Sequence, residues 1–240
     1  AGIFAEGQLE SALKPLWPCW KLLAKARDAR GPLDLDLPER RVVLDESGRI
    51  VSIALRERLD AHRLIEDYMV TANVAAAKAL EAKKSPVMYR IHEAPSREKM
   101  TSLKDYLDTF EIGLALGQVV TPKTFNRIIE QIPDDAAARQ QIMEQILRSQ
   151  MQAYYGPDAL GHFGLALGSY AHFTSPIRRY SDLLVHRALV GVYGLEQPAP
   201  KDKTIPKDTR LSSEDLADLK PIGESISRYE RRAMGAERET

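Results

Sequence analysis

The chain has 240 residues, 44% of them apolar, which is enough for one large core or two small ones and excludes a disordered tail. Lysine plus arginine and aspartate plus glutamate each number 34, so no global basic field exists and any nucleic-acid site must be local. Cys19 is the only cysteine, which rules out an internal disulfide and a cysteine-cluster zinc site and points to a reducing compartment, with the cytoplasm as the default.

No run of about 18 apolar residues and no signal peptide is present, so no membrane partner is expected. The first residue is Ala1, and Thr240 falls inside a helical pattern, so both ends read as cut from something longer. From the N-terminus, Leu9, Leu13, Leu16, Trp20, Leu23 and Ala24 keep helical spacing, broken by Pro15 and Pro18 and closed at Gly31-Pro32. Residues 41–56 place two β-branched runs around Asp45-Glu46-Ser47-Gly48, a hairpin pattern. Asp60 caps a long helix over 61–84, with Leu64, Ile65, Met69, Ala72, Ala76 and Leu80 as its apolar stripe. A short buried strand follows at 87–92, then a helix from Ser96 to Phe110.

Thr121-Pro122 starts a helix to Gln131, and 135–151 forms another with Ile142, Ile146 and Leu147 inward. A strand over 162–170 leads to a helix from Pro176 to Tyr193, then to a Pro/Lys/Asp loop over 197–210. Ser212 and Asp215 form a capping box for a last helix that Pro221 should kink.

Chemistry concentrates at 162–186, HFGLALGSYAHFTSPIRRYSDLLVH. A Thr-Ser-Pro helix start followed at once by two arginines sets free N–H groups beside guanidinium groups, an arrangement that holds phosphate. On that helix Arg178, Asp182 and His186 are four apart and share a face, so the carboxylate can fix both neighbours. Arg179 lies about 100° further round, so at most one of the two arginines is tied up and the other is free for a bidentate phosphate contact. The competing reading is an ordinary capped helix with surface ion pairs. A third has His162, His172, Asp182 and His186 as zinc or iron ligands, without an HxH or HExxH spacing to support it. His62 with Glu66 and His186 with Asp182 read most simply as oriented core histidines.

The run His162-Phe163-Gly164-Leu165, Tyr170-Ala171-His172-Phe173-Thr174-Ser175-Pro176-Ile177-Arg178-Arg179-Tyr180, Asp182 and His186 resembles the signature of the ribonuclease II and ribonuclease R family. Asp60 to Glu66 with Met69, Ala72 and Asn73, and Tyr89-Arg90-Ile91-His92 with Pro95-Ser96, agree with it in order and spacing. The resemblance implies a helix-rich α+β fold with a small mixed sheet. Residues 1–240 would be the C-terminal portion of an RNB-type catalytic domain, without its N-terminal metal-binding segment or flanking RNA-binding barrels. It implies a magnesium-dependent exoribonuclease that degrades single-stranded RNA from the 3′ end to nucleoside monophosphates.

Two metal ions would activate water and neutralise the leaving oxygen. The family's aspartate pattern, TIDxxxAxDxDDA, is not in this sequence, and Asp34 and Asp36 are its nearest imitation, better read as structural or surface residues. No metal is therefore expected on this chain, and no turnover by it alone. What the resemblance leaves is the grip on RNA: Arg178 after TSPI on the phosphate, Glu237 in AERE near the terminal nucleotide, and Arg179, Thr174 and Ser175 around them. Tyr89 and His92 are candidates for stacking on a base. A catalytically dead RNA-binding or scaffold protein is the alternative. Single-stranded RNA, the rest of the parent protein and a second copy paired through an exposed sheet edge are the expected partners.

Overall fold

The computed structural model describes residues 7, 9–35, 37, 40–55, 57–133, 135–195 and 209–239, so Asp36 and most of the 197–210 loop lie outside the described residues. The fold is helix-rich α+β. Among the described residues the strands form two two-stranded antiparallel sheets rather than one mixed sheet. Contacts divide the chain into two compact units, Ala1–Tyr68 with Pro95–Gln150, and Met69–Ala94 with Met151–Thr240.

In the first unit, a π-helical turn at Leu9–Leu13 precedes α1 (Leu16–Arg30), so the break falls at Lys14-Pro15, and Gly31 closes α1 in the left-handed region at φ 66°. Strands β1 (Arg40–Leu44) and β2 (Ile50–Leu55) form the expected hairpin, whose loop is held by Asp45 Oδ1 accepting from the Ser47 and Arg49 N–H groups. Helix α2 (Asp60–Ala82) contributes its residues up to Tyr68 here and those from Met69 to the second unit. Helices α3 (Arg97–Asp108), α4 (Pro122–Glu130) and α5 (Ala136–Ser149) begin where their caps predict: Ser96, Thr121 and Asp135. Met100, Leu103, Leu107, Phe125, Ile128, Ile142, Met143 and Ile146 are buried. Leu147, expected inward, is exposed, and Met143 takes the buried position.

A carboxylate anchors α1 in this unit. Asp67 accepts from Trp20 Nε1 at 2.8 Å and Arg27 Nη1 at 2.6 Å, and burying it is tolerable because it is paired. Leu64, Ala76, Ala77 and Leu80 are the buried apolar face of α2, whereas Ile65 and Met69 are exposed, a correction to the expected stripe.

In the second unit, β3 (Tyr89–Ile91) pairs antiparallel with β4 (Tyr154–Gly156), Arg90 opposite Tyr155. The core gathers Ala76, Leu80, Val87, Met88, Tyr89, Ile91, Tyr155, Ala171, Leu184, Val185 and Leu219. Residues 162–170 are not a strand but a tight turn closed by reciprocal bonds between His162 and Leu167, at 2.7 and 3.2 Å. Ala166 takes a left-handed φ of 51° inside it. Helix α6 runs Tyr180–Tyr193, four residues later than Pro176 suggests. The Ser212–Asp215 box caps a short α7 (Ser213–Ala217), and the chain breaks at Asp218 before α8 (Leu219–Glu239). Pro221 thus sits in the first turn of α8, where its missing N–H breaks no bond, and no kink arises there.

Candidate nucleic-acid interface

All of the candidate RNA-contacting side chains fall in the second unit. Pro176 opens a turn rather than a helix. The Ser175 carbonyl accepts from the Arg178 and Arg179 N–H groups, and Arg179 becomes the residue preceding α6. This changes the expected pairing, because Arg178 is no longer on the helix and Asp182 instead meets Arg179, three residues away.

The Arg179 fork donates to Asp182 through Nε to Oδ2 and Nη2 to Oδ1, both at 2.8 Å. Asp182, with 0% exposure, also accepts from the Ser175 N–H at 2.8 Å and from Ser181 Oγ at 3.1 Å. Burial alone pushes the Asp182 carboxyl up; the Arg179 fork and the Ser175 N–H outweigh it and hold the group below the ordinary carboxylate range. The carboxylate welds both ends of the turn together. Removing it leaves a buried guanidinium edge and a backbone donor unpaired, the costly way to break such a pair.

What the weld presents is Arg178. It is exposed, and among the described residues no acidic side chain pairs with it. Beside it Ile177 is 102% exposed, a large apolar side chain held fully in water at the apex of the turn. Spacing rules pass over that residue, since an isoleucine after proline carries no polar signal. Thr174 and Ser175 are half-buried at the base of the turn.

The histidines are structural here. His186 Nε2 meets the Phe173 carbonyl at 2.8 Å and its ring stacks on Phe173 with centroids 4.2 Å apart, so Asp182 does not orient it. His62 is exposed and accepts from the Leu59 N–H, while Glu66 pairs with Arg58, so neither forms the expected core couple. His172 Nδ1 bonds the Tyr155 hydroxyl at 2.9 Å. Burial first, then the nearby Arg179 and Arg90 charges, lowers His172 to about 3. Burial and the neighbouring His92 likewise bring His162 to about 3. Both rings are neutral near pH 7. Among the described residues no three His, Cys, Asp or Glu side chains come together in a way that holds a metal ion, so the His162, His172, Asp182 and His186 set is not one.

His92 and His162 line an open cleft of about 550 Å³ with Phe163 and Leu167. The His92 Nδ1 accepts from the Gly164 N–H at 3.0 Å, which fixes its ring. Tyr89 is a core residue instead: its hydroxyl donates to Glu81 at 2.9 Å and its ring is buried, so it offers no face to a base. Asn73, also buried, spans the unit by donating to the Tyr170 hydroxyl and accepting from the Phe173 N–H.

Glu237 stands exposed near the C-terminal end of α8, and no bond joins it to the Arg178 turn. That helix lies tightly on β4. A Cβ on Gly223 would fall 2.5 Å from the Tyr155 carbonyl oxygen, and Ser227 Oγ accepts from the Tyr155 N–H at 2.9 Å. Asp34, the remaining metal candidate described, is largely solvent-facing, with its backbone N–H on Asn126 Oδ1.

Comparison with known proteins adds four likenesses. The RNB domain family matches residues 5–194. Ribonuclease R of Escherichia coli is 39% identical over 227 residues, covering 95% of this chain and 27% of that protein. Ribonuclease R of Mycoplasma genitalium, solved in complex with ribose-methylated single-stranded RNA, superposes with a TM-score of 0.83 at 26% identity, covering 100% of this chain and 36% of that one. Yeast Ssd1, a pseudonuclease, shares the fold with a TM-score of 0.56 at 22% identity, over 93% of this chain and 28% of that one. The chain thus spans about a quarter of the length of the curated relative it matches.

Proposed function

The chain belongs to the RNB domain family, and on that premise we propose that it forms part of an exoribonuclease hydrolysing single-stranded RNA from the 3′ end to nucleoside monophosphates. Its share of the work is gripping the RNA. The observation that carries this reading is the turn at 174–179, in which a buried carboxylate commits Arg179 while the neighbouring Arg178 is exposed and, among the described residues, meets no acidic side chain. A guanidinium so placed offers a planar fork to phosphate oxygens without first breaking an internal ion pair. Ile177 beside it supplies an apolar contact for a ribose or base edge. Glu237 would act near the terminal nucleotide, with His92, Thr174 and Ser175 as further contacts.

Magnesium belongs to this reading through the family, yet the described residues do not fit a metal pair, and no hydrolytic step is derived from them. The chain by itself is expected to bind RNA without degrading it. Rapid loss of poly-A on adding purified chain and Mg²⁺ or Mn²⁺ contradicts that expectation. The rest of the parent protein and a second copy remain proposed partners, and the cytoplasm the proposed location; among the described residues no helix is long and apolar enough to cross a membrane. The alternative is a catalytically dead RNA-binding or scaffold protein, the fold being shared with a pseudonuclease.

The test is fluorescence polarisation with a labelled single-stranded oligoadenylate. Arg178→Ala should weaken binding by about tenfold, the scale of one charge-assisted contact, while the circular dichroism spectrum stays unchanged. Equal affinity of the two proteins removes Arg178 from the site.

A further inference from the structure

Arg90 lies in a stretch that carries the family resemblance, in the second unit of the fold. Its guanidinium is largely buried, which for an arginine demands partners. Nη1 donates to Glu230 of α8 at 2.6 Å, and the guanidinium carbon sits 4.6 Å from the centroid of the Tyr155 ring. The Arg90 backbone N–H donates to the Tyr170 carbonyl at 2.9 Å. One residue therefore touches α8, β4 and the segment leading into the Arg178 turn.

We propose that Arg90 is a positioning residue of the RNA site, tying the helix that carries Glu237 to the turn that carries Arg178. On α8, Gly223, Ser227 and Glu230 succeed one another at intervals of four and three, so they form the single stripe that docks on β4 and Arg90. Glu237 is seven residues beyond Glu230. Two helical turns return it to the same face, about 10 Å further along the axis. The clasp on Glu230 thus sets the rotation of α8 and, with it, the direction in which Glu237 leaves the helix.

On the other side, the Tyr155 ring under Arg90 reaches His172 through its hydroxyl, and His172 immediately precedes Phe173 and the Thr174-Ser175 base of the turn. Lysine cannot replace Arg90 in this role, because a point charge has no flat face for Tyr155 and no fork to hold Glu230 while stacked.

This inference rests on the RNA reading above, and the experiment separates the two. Oligoadenylate affinity is measured for the unaltered chain, Arg90→Lys, Glu230→Gln, Glu237→Gln and the pair Glu230→Gln/Glu237→Gln, with thermal melting of each. Arg90→Lys and Glu230→Gln should each weaken binding roughly three- to tenfold while keeping a cooperative melt, the range of one partly buried charged contact. The Glu230→Gln effect should largely vanish when Glu237 is already Gln, a non-additivity that a general loss of stability does not produce. Undiminished affinity of Arg90→Lys and Glu230→Gln overturns the positioning role, as does full additivity with Glu237→Gln. If the unaltered chain has no affinity for the oligonucleotide, the RNA reading itself falls, and this proposal with it.

Discussion

The molecule builds the same element twice and uses it in opposite ways. In β1–β2, Val42, Leu44, Ile50, Val51, Ile53 and Leu55 are between 53% and 69% exposed, so both faces of the hairpin are apolar and bare. In β3–β4, Tyr89, Ile91 and Tyr155 are buried, and the ribbon lies under α8. An isolated two-stranded hairpin is marginal in water, and it gains stability from what covers it. The covered ribbon is a foundation for the turn that carries Arg178. The bare one keeps its apolar side chains in water.

The largest expected contrast comes from cutting one isoleucine in each. Ile91→Ala should lower stability by about 2–5 kcal/mol, because a close-packed site keeps most of the resulting cavity. Chemical denaturation checks it, and a loss under about 1 kcal/mol would mean that the ribbon does not support the second unit's core.

Acid is the next discriminator. His162 and His172 are held at about 3 in the folded chain, against an ordinary imidazole value near 6.5. Below about pH 6.5 the unfolded chain takes up protons that the folded chain refuses. Their burial therefore costs nothing above that pH, and stability falls as pH drops from about 6.5 toward 3. Asp182 adds to the loss at the acid end, since its depressed carboxyl stabilises the fold only while ionised. The melting temperature should drop clearly between pH 7 and pH 5. A flat profile over that interval refutes the burial of these rings.

A smaller effect sharpens the role of the turn. Arg178→Ala should reduce the slope of log affinity against log salt by about 0.7, the value of one phosphate contact on a single strand. An unchanged slope assigns Arg178 to something other than phosphate. Smallest of all, Ile53→Ala should change stability by no more than about 0.5 kcal/mol, since no core is disturbed. Sedimentation gives the hairpin its own readout: Ile53→Lys should reduce any self-association of the chain, and self-association that survives the charge intact moves the pairing surface elsewhere.

Much of this architecture is legible in the sequence because it is local. Ser96, Thr121, Asp135 and Ser212 bond their own neighbours, so a window of four residues suffices to place α3, α4, α5 and α7. Spacing also says that Asp182 engages one of the two arginines, but it points to Arg178 where the structure pairs Asp182 with Arg179. The difference arises because Pro176 opens a turn, and the helix starts only at Tyr180. Other features have no local signature. Strand β4 is three residues ending in glycine, too short for alternation to show. Asp67 finds Trp20 and Arg27 from 47 and 40 residues away, and Arg90 finds Glu230 from 140. Composition cannot announce such pairings, because each charged partner alone looks like an ordinary surface residue and Trp20 like an ordinary apolar one.

The bare hydrogen of Gly223 has a mechanical consequence. From it to Glu237 the helix runs 14 residues, about 21 Å at 1.5 Å each, with its near end seated directly on the Tyr155 peptide. A methyl wedged there would tilt the rod, and a tilt of about 5° swings the far carboxylate by almost 2 Å, more than half the length of a hydrogen bond. A single hydrogen atom thereby acts as the shim that calibrates the far end of the helix.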